Sequence, residues 1–151
     1  MYYWANHKDE AVFAFLLLDI DNFKKYNDTY GHQAGDKVLI SIAQSLKSTF
    51  KRSDDTIFRL GGEEFGILIN SKTIDKVMAL AELTRANIES LQINHKNNFP
   101  SRVITASFGI SIISSKYDKD LHHLDSLYKN ADVALYKAKK NGRNRIVSLN
   151  I

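Results

Sequence analysis

The chain has 151 residues, 44% of them hydrophobic and 25% charged, the size and composition of one globular domain that can bury its own core. It contains no Cys and a single Pro, which excludes disulfides, thiolate nucleophiles and Cys-ligated metal centres, and no apolar run approaches the ~18 residues of a membrane span. Net charge is +4, unevenly spread: residues 1–75 carry net −2 and residues 76–151 net +6.

The first ten residues show no period and no basic stretch leading to a cleavage site, so a cytoplasmic domain without membrane contact is expected. Val12 to Ile20 reads as a buried strand, a short Phe- and Leu-rich run stopped by acid. Asp21 to Asp36 is polar and interrupted by Gly31 and Gly35, which predicts irregular chain. From Asp36 to Phe50 the residues Val38, Leu39, Ile42, Ala43, Leu46 and Phe50 fall on one stripe of an amphipathic helix. Thr56–Leu60 and Phe65–Ile69 read as two strands of a hairpin linked through Gly61-Gly62. Ile74–Leu91 is a second amphipathic helix. Arg102–Ile113 is a β-branched strand, and Gly109 inside it suggests a bulge. Leu121–Lys140 is a third helix using Leu124, Leu127, Tyr128, Ala131 and Leu135, with Gly142 as its stop. Arg145–Leu149 is a last short strand. The order β-α-β-β-α-β-α-β begins with the split βαβ, ferredoxin-like arrangement, and helices on one face of an antiparallel-rich sheet make the fold class α+β.

Acidic residues gather where this topology brings elements together. Asp19 and Asp21 close the first strand and, two apart, share a face. Glu63 and Glu64 sit in or just after the hairpin turn, and in a split βαβ that hairpin neighbours the first strand. Clustered carboxylates repel unless a cation lies among them, and oxygen-only ligands suit a hard ion, Mg²⁺ before Zn²⁺. Separately, Asp-x-Asp at a strand end and two Glu after Gly-Gly are common surface features. Gly61 and Gly62, lacking Cβ, allow a phosphate or base close to the backbone. Lys137, Lys139, Lys140, Arg143 and Arg145 crowd the end of the third helix. That cluster suits a polyphosphate partner and equally a solvated helix end. No aromatic ladder interleaves it, so nucleic acid is not the expected partner.

Arg59-Leu60-Gly61-Gly62-Glu63-Glu64-Phe65 resembles the signature of the GGDEF domains, the diguanylate cyclases. Five further stretches agree in order: Leu18 to Lys25, Asn27 to His32, Gly35-Asp36, Ser107 to Ile110, and Ala131 to Lys139 with Gly142-Arg143-Asn144. The resemblance covers about residues 12–147. It implies a palm-like fold similar to class III nucleotidyl cyclases and condensation of two GTP into cyclic di-GMP with release of two pyrophosphates. It also implies Mg²⁺ or Mn²⁺ as cofactor and a homodimer for catalysis. By the same resemblance Asp19, Glu63 and the Ile20 carbonyl hold the cations, and Glu64 ligates a second metal or helps deprotonate the 3′-hydroxyl. Asp21 stands beside the site. Phe23 and Lys24 amides with Lys139 and Arg143 take phosphates, and Asn27 and Asp36 read guanine. A carboxylate accepts from guanine N1–H and N2–H together, a pair adenine lacks. Without the resemblance Asn27 is a turn residue and Asp36 a helix cap.

Arg52-Ser53-Asp54-Asp55, with five residues between Asp55 and Gly61, is similar to the family's product-inhibitory site; its plainer reading is a surface ion pair between Arg52 and Asp55. The helical Arg that completes that site in some relatives aligns with Leu83 here, with Arg85 nearby. His32 is read as structural, and His122 and His123 as solvent-facing. An Asp-x-Leu-Thr-x-Leu-x-Asn-Arg segment that usually precedes the first strand is not in the chain. The expected organisation is therefore a single catalytic domain over residues 1–151, truncated at its N-terminus from a larger sensor protein. The alternative function is a silent GTP- or cyclic di-GMP-binding module.

Overall fold

Every side chain of the first strand, β1 (Val12–Ile20), is buried, so this strand has no solvent face. Continuous apolar sequence of strand length is what two-sided burial requires. The structure, a computed structural model, describes residues 11–114 and 121–150. After β1 come α1 (Phe23–Tyr30), α2 (His32–Thr49), β2 (Thr56–Gly61), β3 (Glu64–Ser71), α3 (Ile74–Ser90), β4 (Ala106–Ser114), α4 (Leu121–Lys140) and β5 (Ile146–Asn150). The sheet order is β2-β3-β1-β4-β5. β1 pairs antiparallel with β3 and β4, β2 antiparallel with β3, and β5 joins parallel to β4. The first four strands thus reproduce the split βαβ sheet, and the fold class is α+β as expected.

Helices cover both faces rather than one. Val12, Ala14, Leu16, Leu18 and Ile20 pack with α1, α2 and α3 residues such as Tyr26, Ile42, Leu46, Val77, Ala81 and Ile88. Phe13, Phe15 and Leu17 on the other face pack with Leu127, Ala131 and Leu135 of α4. The buried line of α4 runs through Leu127, Ala131, Ala134, Leu135 and Ala138. Leu124 and Tyr128, assigned to that stripe by spacing, are 37% and 42% exposed rather than buried, although Tyr128 meets the Phe15 ring at 5.9 Å. The side chains of His122 and His123 lie outside the described residues. No helix among the described residues is long and apolar enough to cross a membrane.

Two local expectations are corrected. The polar segment after β1 is helical, because Phe23, Tyr26 and Tyr30 form one aromatic stripe; the Phe23 and Tyr26 rings stack at 6.1 Å and those of Tyr26 and Tyr30 at 4.6 Å. Only Gly31, at φ 92°, breaks the chain between α1 and α2. Gly109 makes no bulge: β1–β4 pairing is continuous through it. Its lack of a side chain admits α4, since a Cβ there would lie 2.0 Å from the Ala131 carbonyl oxygen and 2.4 Å from the Leu135 nitrogen. Both are backbone atoms that cannot swing aside. Gly109→Ala is therefore expected to destabilise the domain by about 3 kcal/mol or more, at the upper end of overpacking, as a lowered midpoint in urea unfolding at constant slope.

Candidate functional site

The site begins where β1 ends. Asp19 lies directly opposite Glu64 of β3 on one side and Ser107 of β4 on the other, so Asp19 and Glu64 share the α4 face of the sheet. The hairpin between β2 and β3 turns through Gly61 (φ 136°) and Gly62 (φ 47°), left-handed backbone that favours glycine. The Arg59 guanidinium holds the turn, donating to the Gly62 carbonyl from Nε at 3.1 Å and Nη2 at 2.7 Å. The Glu63 carbonyl accepts from the Ile20 amide at 3.2 Å. Together these bonds hold the turn against the end of β1. Asp19, Ile20, Glu63, Phe23, Lys24, Lys139 and Arg143 then line one cleft of about 180 Å³, with Asp21 and Asn22 in its wall. Glu64 stands beside this cleft without lining it.

The electrostatics of that cleft are strained. Asp19 is 6% exposed. Burial, with the Glu63 and Glu64 charges adding to it, pushes its carboxyl up to about 6 against the opposing effect of Lys139. Lys139 Nζ donates to Asp19 Oδ2 at 2.5 Å. Among the described residues no three acidic or imidazole groups are close enough to cage a metal by themselves. The donor set, two carboxylates and a main-chain carbonyl, fits a hard divalent ion that completes its shell with water and phosphate oxygens. It does not fit a soft metal.

Asp21 has a different task. Its carboxylate is buried and accepts from Thr105 Oγ1 at 2.7 Å, Ser107 Oγ at 2.5 Å and the Asn144 amide at 3.0 Å. Those bonds occupy it, and they fasten the segment that carries Arg143. Arg143 and Asn144 both have left-handed backbone, φ 63° and 46°, a conformation that non-glycine residues hold only when neighbours enforce it. The Asn144 side chain accepts from Arg85 Nη1 at 2.8 Å and donates to Glu89 Oε2 at 2.8 Å. Arg85, also paired with Glu82 at 2.6 Å, therefore braces the Arg143 segment.

At the opposite wall, Asn22 gives α1 no side-chain cap, which leaves the first-turn N–H groups of Phe23 and Lys24, two residues that line the cleft, without a capping acceptor. Asn27 lies inside α1, not in a turn, and its Oδ1 is buried with no partner among the described residues. It rests where a Cβ on Gly35 would stand, 1.9 Å away, so Gly35 brings α2 up against it. α2 begins at His32, which is exposed, so Asp36 sits inside the helix and caps nothing. Its side chain lines an apolar cavity of about 550 Å³ with Leu39, Ile40, Ile57, Phe58 and Phe65. Arg52 and Asp55 pair with each other at 3.3 Å, and Arg52 also donates to the Asn70 carbonyl. Both line a separate cavity of about 470 Å³ with Lys51, Lys76, Leu80 and Leu83.

Sequence reasoning missed Arg59 as the clamp of the turn, Asn144 as the brace of Arg143, and His95, a fully buried imidazole behind α1. Arg59 and Asn144 each fall within a quoted motif. Nothing in the sequence marked His95.

The raised Asp19 carboxyl has a measurable consequence. Between about pH 4 and pH 6 the folded chain keeps a proton on Asp19 that the unfolded chain has released, so this group's stabilisation is fully present below pH 4 and is lost as pH rises through 6. Unfolding free energies in chelator, measured across that interval, are expected to fall less steeply in Asp19→Asn than in the unsubstituted chain.

The sequence model of the family described as "Diguanylate cyclase, GGDEF domain" matches residues 2–145. Diguanylate cyclase A of Treponema denticola is 42% identical over 142 residues, covering 94% of this chain and 36% of that protein. The GGDEF domain of DgcB from Caulobacter crescentus, solved in complex with c-di-GMP, superposes with TM-score 0.77 at 29% identity, covering 95% of this chain and 82% of the other. The active GGEEF domain of a diguanylate cyclase from Vibrio cholerae gives TM-score 0.72 at 32% identity, covering 97% and 88%. The chain spans about a third of the length of the curated relatives it matches first. It belongs to the GGDEF domain family, whose named relatives are diguanylate cyclases.

Proposed function

We propose that the chain condenses two molecules of GTP into cyclic di-GMP and two pyrophosphates. The observation that carries this reading is the convergence of Asp19 and Glu63 with Lys139 and Arg143 in one cleft, acids and bases within a space that takes a phosphate chain. Asp19, Glu63 and the Ile20 carbonyl would hold Mg²⁺ or Mn²⁺. When bound, the ion supplies charge neutralisation at the α-phosphate and favours the alkoxide of the attacking hydroxyl.

The protein's own residues do the rest. The Phe23 and Lys24 amides donate to the outer phosphate oxygens at the N-terminus of α1. Lys139 exchanges its Asp19 partner for phosphate as the nucleotide enters, and Arg143 presents its planar fork to the same chain. Glu64, across the ladder from Asp19, takes the 3′-hydroxyl proton or ligates a second cation. The new bond joins O3′ of one nucleotide to the α-phosphorus of the other, and the bond to pyrophosphate breaks in line with it. Asn27 and Asp36 read the base, Asp36 with a carboxylate at the rim of an apolar cavity.

Each domain binds one GTP, so two copies must face each other across a two-fold axis. GTP as substrate fits a domain that works in the cytoplasm. Arg52 and Asp55 form a product-inhibitory site on the cavity they share with Lys51 and Lys76. Leu83 stands on its wall, and Arg85 is committed to Glu82, Glu89 and Asn144.

Incubating concentrated protein with GTP and Mg²⁺ and separating the nucleotides by chromatography tests the proposal. Cyclic di-GMP is expected, Glu64→Ala is expected to lower the rate by about 10²-fold or more, and Arg52→Ala to accumulate product past the level at which the unsubstituted chain stops. GTP binding without product, even when the chain is fused to a dimerising coiled coil, would make it a binding module instead.

A further inference from the structure

Asn22 is the hinge between the acidic end of β1 and the first N–H groups of α1. Its backbone is left-handed, φ 53° and ψ 37°, a conformation Asn tolerates better than most residues yet still disfavoured without support. The support comes from residues 92–105, a strap that links α3 to β4 and lies against α1. From it, His95 Nε2 meets the Asn22 carbonyl at 3.0 Å, and Asn98 Oδ1 accepts from Asn22 Nδ2 at 2.9 Å. Asn98 in turn donates to the Val103 carbonyl at 2.7 Å and to Thr105 Oγ1 at 2.9 Å, and Thr105 donates to Asp21. The circuit therefore closes on the residue next to Asn22. Two outer bonds fasten the strap to α1: the Lys96 amide to the Tyr30 hydroxyl at 3.0 Å, and Asn97 Nδ2 to Thr29 Oγ1 at 2.9 Å.

The His95 ring is fully buried, edge-on to Tyr26 at 5.2 Å and Tyr30 at 6.4 Å. A carbonyl only accepts, so the ring proton lies on Nε2. Burial holds the imidazole below its ordinary pKa and keeps it neutral. Nδ1 is then an acceptor with no partner among the described residues. Were packing alone required, an apolar side chain would fill this slot without leaving a buried acceptor unpaired. The bond to Asn22 is what the imidazole adds.

We propose that His95 is a positioning residue for the nucleotide's triphosphate. By holding the Asn22 carbonyl it fixes the left-handed turn that aims the Phe23 and Lys24 N–H groups into the cleft. This rests on the reading of that cleft as a phosphate site. It goes beyond that reading in assigning the aim of the amides to a strap that touches no substrate. The base-reading residues Asn27 and Asp36 lie further along α1 and α2, so loss of the bond affects the phosphate end and spares the base.

The test measures calorimetric affinities of the 151-residue chain for GTP with Mg²⁺ and for guanosine, with melting curves to confirm folding. His95→Leu removes the donor and keeps most of the volume, His95→Gln restores an amide donor, and Asn22→Ala loosens the turn at a part-exposed position. His95→Leu is expected to bind GTP about tenfold more weakly with guanosine affinity unchanged, the size of one lost hydrogen bond. Asn22→Ala should follow it, and His95→Gln should recover most of the loss. The positioning role is overturned if both disruptive variants bind GTP as the unsubstituted chain does, or if they lose GTP and guanosine alike. Should His95→Leu fail to fold, Asn22→Ala decides between the same outcomes. An unsubstituted chain that binds no GTP would overturn the nucleotide reading itself, and the positioning role with it.

Discussion

The end of β1 holds a carboxylate out of water beside two others, and much of the molecule is arranged around that arrangement. Asp19 is poorly solvated, faces Glu64 across the ladder and shares a cleft with Glu63. Left alone, such a group takes up a proton, and the upward shift of its carboxyl shows how strongly. Lys139 relieves it from α4, a helix that reaches this point only because Gly109 lets it settle onto the sheet. The pairing of Asp19 with Lys139 is thus built by the packing of α4 on the face of the sheet that carries Asp19.

Around Asp19 lies a set of fasteners whose side chains are occupied in holding backbone. Arg59 closes the hairpin turn, Asp21 ties β1 to β4 and to the Asn144 amide, and Arg85 with Glu89 grips the Asn144 side chain. Each holds backbone that would otherwise relax, glycine at Gly61 and Gly62 and non-glycine at Arg143 and Asn144, while Asn98 and His95 hold Asn22. Asn22 and Arg143, both left-handed, line the cleft itself, which fits the general tendency of strained backbone to collect at functional sites.

Much of this was legible in the sequence, for physical reasons that can be named. The Val12–Ile20 run announces its strand because nothing in it tolerates water, and the hairpin announces itself through Gly61-Gly62. The order of elements then brings β1 beside the hairpin, which is enough to gather the acids. The α1 helix was not legible, because its short aromatic stripe is diluted by Lys24, Lys25, Asn27 and Asp28. Gly109 was misread because a glycine within a strand signals a bulge and a close approach equally, and only the path of α4 distinguishes them. The role of Asp21 was also hidden: Asp19 and Asp21 share a face, but the partners that occupy Asp21 come from more than eighty residues away.

The central claim is that Asp19 and Glu63 together form a seat for a divalent cation bearing a nucleotide triphosphate. Paramagnetic broadening of backbone amide signals by substoichiometric Mn²⁺, in the presence of a non-hydrolysable GTP analogue, tests it most directly. The account predicts that the amides of Asp19, Ile20, Glu63 and Glu64 broaden first and that those of Arg52 and Leu83 stay sharp. Broadening centred on any other part of the chain would contradict it.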